Sequence, residues 1–489
     1  MPGLSYDQLL ALVDSLLEQV SRLESLVLQL QKENASLHAE NDALRTQVRE
    51  LMDKLNKDSH NSSKPPSSDG LAKKPCPKSL RLPGTRPSGG QMGHPGSTLR
   101  MSETPDQVII YAPDLCILCG ASLEAVPGQT GERRQVFDIP PVALQVTEHV
   151  SEIKACPHCG TSHRGVFPPS VKEPVQYGER IKAAAVYLYD WQLLPSERTT
   201  KLLTDLFGCS LSEGILFSAR KHCEQALLPI TEQIKSALQR ASLAHFDETG
   251  QRVAGRLRWL HVAGTEDLTY YATHDKRGRT ATDEIGILPR FTGRAIHDAY
   301  NSYQCYDCLH GLCNAHHLRE LTFLAEENGQ IWAHRMKALL IEIKAQVDHA
   351  IEQGMNALSE STLRAFEERY DRLIQDGYNT NPQAERTKRR GRVPQGKGRS
   401  LVMRLHKGRR ETLAFMYDFS VPFDNNLAER DIRMMKVRQK VSGCFRTAEG
   451  AVTFGVIRGY ISTMQKQGHN ALTVLESIFQ GCPLTPGFT

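Results

Sequence analysis

Residues 241–249 read ASLAHFDET, residues 256–265 RLRWLHVAGT, residues 268–274 LTYYATH and residues 293–303 GRAIHDAYNSY. The first three are short runs rich in aromatic and β-branched residues, joined by tight turns, which is the pattern of successive strands. A helical stretch at 280–288, TATDEIGIL, then leads into a fourth run that stops at an acid. This order predicts a β-β-β-α-β unit with Asp247 on the first strand and Asp298 at the end of the fourth.

If the fourth strand lies beside the first, the two carboxylates become neighbours, and the strand order is that of a ribonuclease H-like α/β core. Adjacent ionised carboxylates repel each other and need a cation; Mg²⁺, or Mn²⁺, takes such hard oxygen ligands. A third acid would complete a two-metal clamp on a phosphodiester. Glu429 is the candidate, within 422–446, PFDNNLAERDIRMMKVRQKVSGCFR. Pro422 and Asp424 suit a helix start, and Asn425 falls one turn before Glu429 on the same face. Arg433, Lys436 and Lys440 recur at helical spacing beyond it, a basic stripe facing a DNA backbone. Glu248, Asp307, Asp424 and Asp431 are rival acids in the same motifs.

Working back toward the N-terminus, residues 179–227 read as short helices, with starts at Pro195-Ser196-Glu197 and Ser210-Leu211-Ser212 and a turn at Gly208. The arrangement resembles a helix-turn-helix, whose second helix enters the major groove. Before it stand two knuckles, Cys116-x-x-Cys119 and Cys156-x-x-Cys159, each followed by glycine. Two such turns complete a tetrahedral Zn²⁺ site, and four cysteines make it closed and structural. Between the knuckles, 133–155 alternates apolar and polar residues like a hairpin, so a zinc ribbon is expected. His158 and His163 are bystanders.

Residues 59–104 are rich in Pro, Ser and Gly, without periodicity, and carry Lys64, Lys73, Lys74, Lys78, Arg81 and Arg86 with almost no acidic company. This is a basic flexible linker. A second basic stretch, 386–410, contains Arg389, Arg390 and Arg392. Both are the footprint of phosphate neutralisation. At the N-terminus, leucine recurs every seven residues from Leu9 to Leu51, with Val13, Val20, Val27, Asn34, Asn41, Val48 and Leu55 four further on. Valine at a with leucine at d predicts a parallel two-stranded coiled coil, its register fixed by the asparagines. Glu40 at g meets Arg45 at e of the partner helix.

The whole chain has 489 residues, 40% of them hydrophobic, with 60 Lys+Arg against 55 Asp+Glu. That length exceeds one ordinary core and implies a multidomain protein. No run of about 18 apolar residues is present, which excludes a membrane-spanning reading and points to the cytoplasm. Twelve cysteines, four of them in the knuckles, suit a reducing compartment and metal binding better than a disulfide framework.

The motifs NSSKPPSSDG, GGQMGHPG, the knuckles around VFDIPP, LLPSERTTKLLTDLFG, HFDETG, HDAYNSY, LCNAHHLREL and DNNLAERDIR, in this order, resemble the IS66 family of transposases over nearly the whole chain. The resemblance implies that Asp247, Asp298 and Glu429 are the family's DDE triad, on a ribonuclease H-like core with a helical insertion. It implies cleavage of an insertion sequence's ends and transfer of the 3′ strands to target DNA. Double-stranded DNA would be the partner at the terminal inverted repeats and at the target, with two small accessory proteins encoded by the same element. The alternative is a catalytically inactive zinc and zipper DNA-binding protein derived from a transposase. The expected division is a coiled coil at 1–58, linker at 59–106, zinc-binding domain at 107–170 and helical DNA-binding domain at 171–235. The core follows at 236–321 and 412–481, interrupted by a helical insertion at 322–411, with a tail at 482–489. Cys305, Cys308, Cys313 and His316 have spacing that could hold a second zinc, and Cys313-x-x-His316 is similar to a pair in several DDE transposase groups; a structural role beside the active site is the favoured reading over zinc. His317 and Arg319 are expected to face DNA.

Overall fold

The computed structural model describes residues 6–57, 99–129, 131–140, 142–383 and 395–488. Lys64, Lys73, Lys74, Lys78, Arg81, Arg86, Arg389, Arg390 and Arg392 lie outside the described residues. The heptad stretch forms one helix, α1 (Tyr6–Leu55). Its leucine seam faces solvent: Leu16, Leu23, Leu30, Leu37 and Leu44 are each more than half exposed.

The knuckles are two turns of the same shape. Gly120 N donates to Cys116 O and Gly160 N to Cys156 O, both at 2.8 Å, with the glycines at φ +72° and +73°. The positive φ is why glycine closes each turn. The hairpin expected between the knuckles is corrected: the strands are β1 (Ile153–Ala155) and β2 (Ser162–Arg164), antiparallel across the second knuckle. Among the described residues of 131–152 no strand forms. Alternation alone does not supply a pairing partner, and Pro140 and Pro141 offer no ladder N–H.

Next come α2 (Glu179–Val186), a five-residue π-helical turn (Tyr187–Trp191), α3 (Ser196–Phe207) and α4 (Glu213–Arg240). Gly208 ends α3 at φ +65°, and the Ser212 side chain caps α4 by accepting from Ile215 N. The helix starts expected at Pro195 and Ser212 are found, yet α4 does not stand apart from the sheet that comes after it in the chain. Its Leu227, Ile230, Ile234 and Leu238 share one apolar cluster with Ala244, Phe246 and Ala263 of that sheet.

The sheet is mixed and five-stranded. β3 (Leu243–Val253), β4 (Arg256–Gly264) and β5 (Thr269–His274) form an antiparallel meander. After α5 (Arg279–Ile285), β6 (Arg294–His297) joins parallel to β3, and β7 (Leu309–Leu312) parallel to β6. The spatial order is β5-β4-β3-β6-β7. The fifth strand is an addition to the sequence reading.

Six helices separate β7 from the last part of the core: α6 (Asn314–Glu326), α7 (Ile331–Glu352), α8 (Glu360–Thr380), α9 (Lys397–Lys407), and the short α10 (Arg409–Thr412) and α11 (Ala414–Tyr417). Trp332, Met336, Tyr370, Leu401 and Leu405 build a second apolar core there, which reaches the sheet through Ile296. The chain returns in α12 (Asn426–Val441), α13 (Ala448–Lys466) and α14 (Ala471–Phe479). α13 and α14 share the α4 cluster on one sheet face; on the other, Ala428, Ile432 and Met435 of α12 pack on Val253, Leu260 and Val262. Among the described residues, no helix is long and apolar enough to cross a membrane.

Candidate active site

Strand register brings the first two acids together. Leu243 pairs with Arg294, Ala244 with Ala295 and His245 with Ile296. The same offset, carried two residues on, sets Asp298 level with Asp247. Side chains alternate along a strand, so Asp247 takes the opposite face from Ala244 and Phe246, the face on which α12 lies.

Glu429 arrives from the first turn of α12, and Asn425 fixes that turn. Asn425 is 2% exposed. Its Nδ2 donates to Phe246 O at 2.9 Å, its Oδ1 is 2.7 Å from His245 Nδ1, and its backbone N donates to Cys313 Sγ at 3.2 Å. The residue one turn before Glu429 is thus fastened to the residue just before Asp247 and to the start of α6. The sequence places Asn425 on the face of Glu429; its tie to β3 and Cys313 is tertiary and has no local signal.

Burial pushes the Asp247 carboxyl well above the ordinary carboxylate range, helped by the negative charges of Glu248, Asp298 and Glu429. Its Oδ1 accepts from Glu248 N at 2.8 Å. Asp298 Oδ1 accepts from Tyr300 N at 3.0 Å. Glu429 Oε1 lies 3.7 Å from His316 Nδ1 and 3.6 Å from Arg319 Nη2. Both Glu429 Oε1 and His316 Nδ1 are hidden from solvent without a hydrogen-bond partner among the described residues. The three acids form a pocket of negative charge that a cation would neutralise.

The rival acids are engaged elsewhere or exposed. Glu248 points to the other sheet face, where Arg277 Nε donates to it at 2.7 Å and the Tyr303 hydroxyl donates to its other oxygen. Arg277 stacks over Trp259 and Tyr300. Asp431 pairs with Lys466 at 2.8 Å, Asp424 accepts from Asn426 N at 3.0 Å, and Asp307 is exposed. His297, wholly buried, bonds through Nε2 to His310 Nδ1 at 2.9 Å; burial pushes it down to about 4, so it is a neutral strut under the Asp298 backbone.

Arg433, Lys436 and Lys440 are exposed along α12, in line with Glu429. On the other side, beyond Ala299 and Asn301, a cavity of about 1090 Å³ is lined by His310, Arg404, His406 and Lys407. His317 does not face DNA: it is 1% exposed, bonded to Asn314 Oδ1 at 3.2 Å, and burial pushes it down to about 3. A helix offers only one of two adjacent residues to the site, and His316 has that position.

The cysteines separate into distinct groups. Each knuckle's thiols sit in their own turn, and among the described residues the four sulfurs are not gathered into one cluster. Cys305 and Cys308 do not join Cys313 and His316 either; Cys305 is exposed and Cys308 lies 3.9 Å from His310 Nε2. Cys313 and His316 instead meet Glu429, the ligand atoms of the three lying within 4.8 Å of one another.

A family model described as "Transposase IS66 family" matches residues 174–453. A second, described as the zinc-finger binding domain of transposase IS66, matches residues 113–160. A third, a family of unknown function (DUF6444), matches residues 10–100. No curated protein matches the chain.

Proposed function

This chain belongs to the IS66 transposase family, and from that premise we propose that it cuts the ends of an insertion sequence and joins the 3′ strands to target DNA. The observation that carries this reading is the meeting of Asp247, Asp298 and Glu429 on one sheet face, with Asp247 pushed well above the carboxylate range by burial and acidic neighbours. A meander of three antiparallel strands with the fourth parallel to the first supports a ribonuclease H-like core. The insertion, α6 to α11, lies between the second and third acids.

Three carboxylates in a half-buried pocket are the hard-oxygen donor set that suits Mg²⁺ or Mn²⁺. Asp247, Asp298 and Glu429 would hold such ions, which would supply charge neutralisation for the attacking and leaving oxygens of a phosphodiester. The chain's own part is positional. Asn425 holds Glu429 against β3, Tyr303 and Arg277 occupy Glu248 so that it stays out of the site, and His297 supports the Asp298 backbone. Arg433, Lys436 and Lys440 would track the DNA backbone past the acids. The test is direct: the protein is incubated with end-sequence DNA, target DNA and Mg²⁺. Nicked ends and joined strands are expected, and a chelator should remove both; a protein that binds ends without cutting them would favour the inactive DNA-binding alternative.

The zinc-finger match supports bound Zn²⁺, which we assign to Cys116, Cys119, Cys156 and Cys159, whose two turns would have to close on the ion to bring the four sulfurs together. The basic stretches, with Lys64, Lys73, Lys74, Lys78, Arg81 and Arg86 in one and Arg389, Arg390 and Arg392 in the other, would bind phosphates without reading sequence. Replacing Lys73, Lys74 and Arg81 by alanine is expected to weaken binding to all DNA and to flatten the log–log salt slope by about 2.7, at roughly 0.9 per phosphate contact. An unchanged slope would make the segment a tether.

The exposed leucine seam of α1 supports self-association through a parallel coiled coil, which would hold two element ends together. Deleting residues 1–58 should lower the mass measured by light scattering from oligomer toward monomer, and an unchanged mass would contradict the pairing. The accessory proteins of the same element remain partners to be tested by co-purification.

A further inference from the structure

We propose that Cys313, His316 and Glu429 form a second site for a zinc-class ion, separate from the cysteine knuckles. Cys313 follows β7 directly and stands at the N-cap position of α6, His316 lies in the first turn of that helix, and Glu429 comes from α12, more than a hundred residues later. Their sulfur, nitrogen and oxygen lie within 4.8 Å of one another. Tetrahedral zinc, with bonds of about 2.0–2.3 Å, sets its ligands roughly 3.3–3.8 Å apart. His316 Nδ1 and Glu429 Oε1 are already at 3.7 Å.

Two observations point to a cation shared between these atoms. A separation of 3.7 Å is too long for a hydrogen bond, and both atoms are sealed from water with no hydrogen-bond partner among the described residues; Arg319 Nη2, 3.6 Å from Glu429 Oε1, is also beyond hydrogen-bond length and leaves the imidazole nitrogen unserved. A carboxylate oxygen and an imidazole nitrogen left so incur a desolvation cost that a shared cation removes. The third donor is prepared as well. Cys313 is 1% exposed, and its sulfur accepts the backbone N–H of Asn425 at 3.2 Å, the kind of outer contact that steadies a metal-bound thiolate.

The donor set decides the class of ion. One thiolate, one imidazole and one carboxylate suit Zn²⁺ and fit Mg²⁺ poorly, because Mg²⁺ demands octahedral oxygen ligands. Three protein ligands leave the fourth position of the tetrahedron open for water. A carboxylate has two oxygens, so Glu429 can serve this ion through Oε1 and the proposed magnesium site through the other. The ion would staple the β7–α6 junction to α12 and hold Glu429 at the sheet. This inference goes beyond the cutting chemistry and needs only the ligand geometry.

Elemental analysis of the full-length protein, loaded with Zn²⁺ and freed of excess, tests it. Two equivalents per chain are expected in the wild type. Cys313→Ala and His316→Ala should each fall to one, while Cys116→Ser should lose the other equivalent and keep this one. Asp247→Asn should retain both, so a failure of the magnesium reading leaves this result intact. If Cys313→Ala does not fold, as circular dichroism will show, the partly exposed His316→Ala decides alone. Two equivalents retained in folded His316→Ala would overturn the proposal, as would a wild-type equivalent removed only by Cys116→Ser.

Discussion

Asp298→Asn should abolish strand cleavage and joining while leaving DNA binding within a few-fold of the wild type. The expected loss is at least about 10²–10³-fold, the size seen when one charge-stabilising group is removed from a reacting centre. The exchange keeps the shape of the side chain and its oxygen acceptor for Tyr300 N, so the loop after β6 should hold. What disappears is one of the negative charges that face Asp247. Binding should survive because the knuckles, the basic stretches and the stripe on α12 are untouched. Gel-shift affinity measured beside product yield separates the two effects; a parallel loss of binding would mean that Asp298 supports the fold and not the chemistry.

The second large effect is expected from Asn425→Ala. The substitution leaves Phe246 O and His245 Nδ1 without their buried partner. Each stranded group costs about 1–3 kcal/mol, so a loss of roughly 2–6 kcal/mol in stability is expected, read as a lower unfolding midpoint in denaturant. Activity should fall further than the folded fraction does, because the first turn of α12 is released from β3 and Glu429 moves with it. Equal losses of activity and folded protein would reduce Asn425 to a purely structural cap.

Much of this site is legible in the residues alone. Period-two patterning in 241–274 places Asp247 on a strand, and the apolar run GRAIH places Asp298 at a strand end. The helix starts at Pro195 and Ser212 carry local signals, the fixed φ of a proline at one and a side-chain cap at the other. Other features have no local signature. β7 is four residues long, LHGL, too short an apolar run to mark a strand. The bonds of Asn425 to Phe246 and Cys313 span well over a hundred residues, and neither partner announces the other. Spacing groups Cys305 and Cys308 with Cys313 and His316, yet the chain turns away between them and the third member of the cluster comes from α12. The knuckle hairpin rests on alternation, a pattern that an extended, unpaired chain satisfies equally well.

The assignment of the third acid rests on the return of α12 to the sheet after the six-helix insertion, and one measurement tests it most directly. Strand transfer of end-sequence DNA into target DNA is followed with Mg²⁺ for the wild type and for Glu429→Gln at equal DNA occupancy. Nicked and joined products are expected from the wild type and none above background from Glu429→Gln. Full strand transfer by Glu429→Gln would contradict the assignment and return the role to one of the other acids.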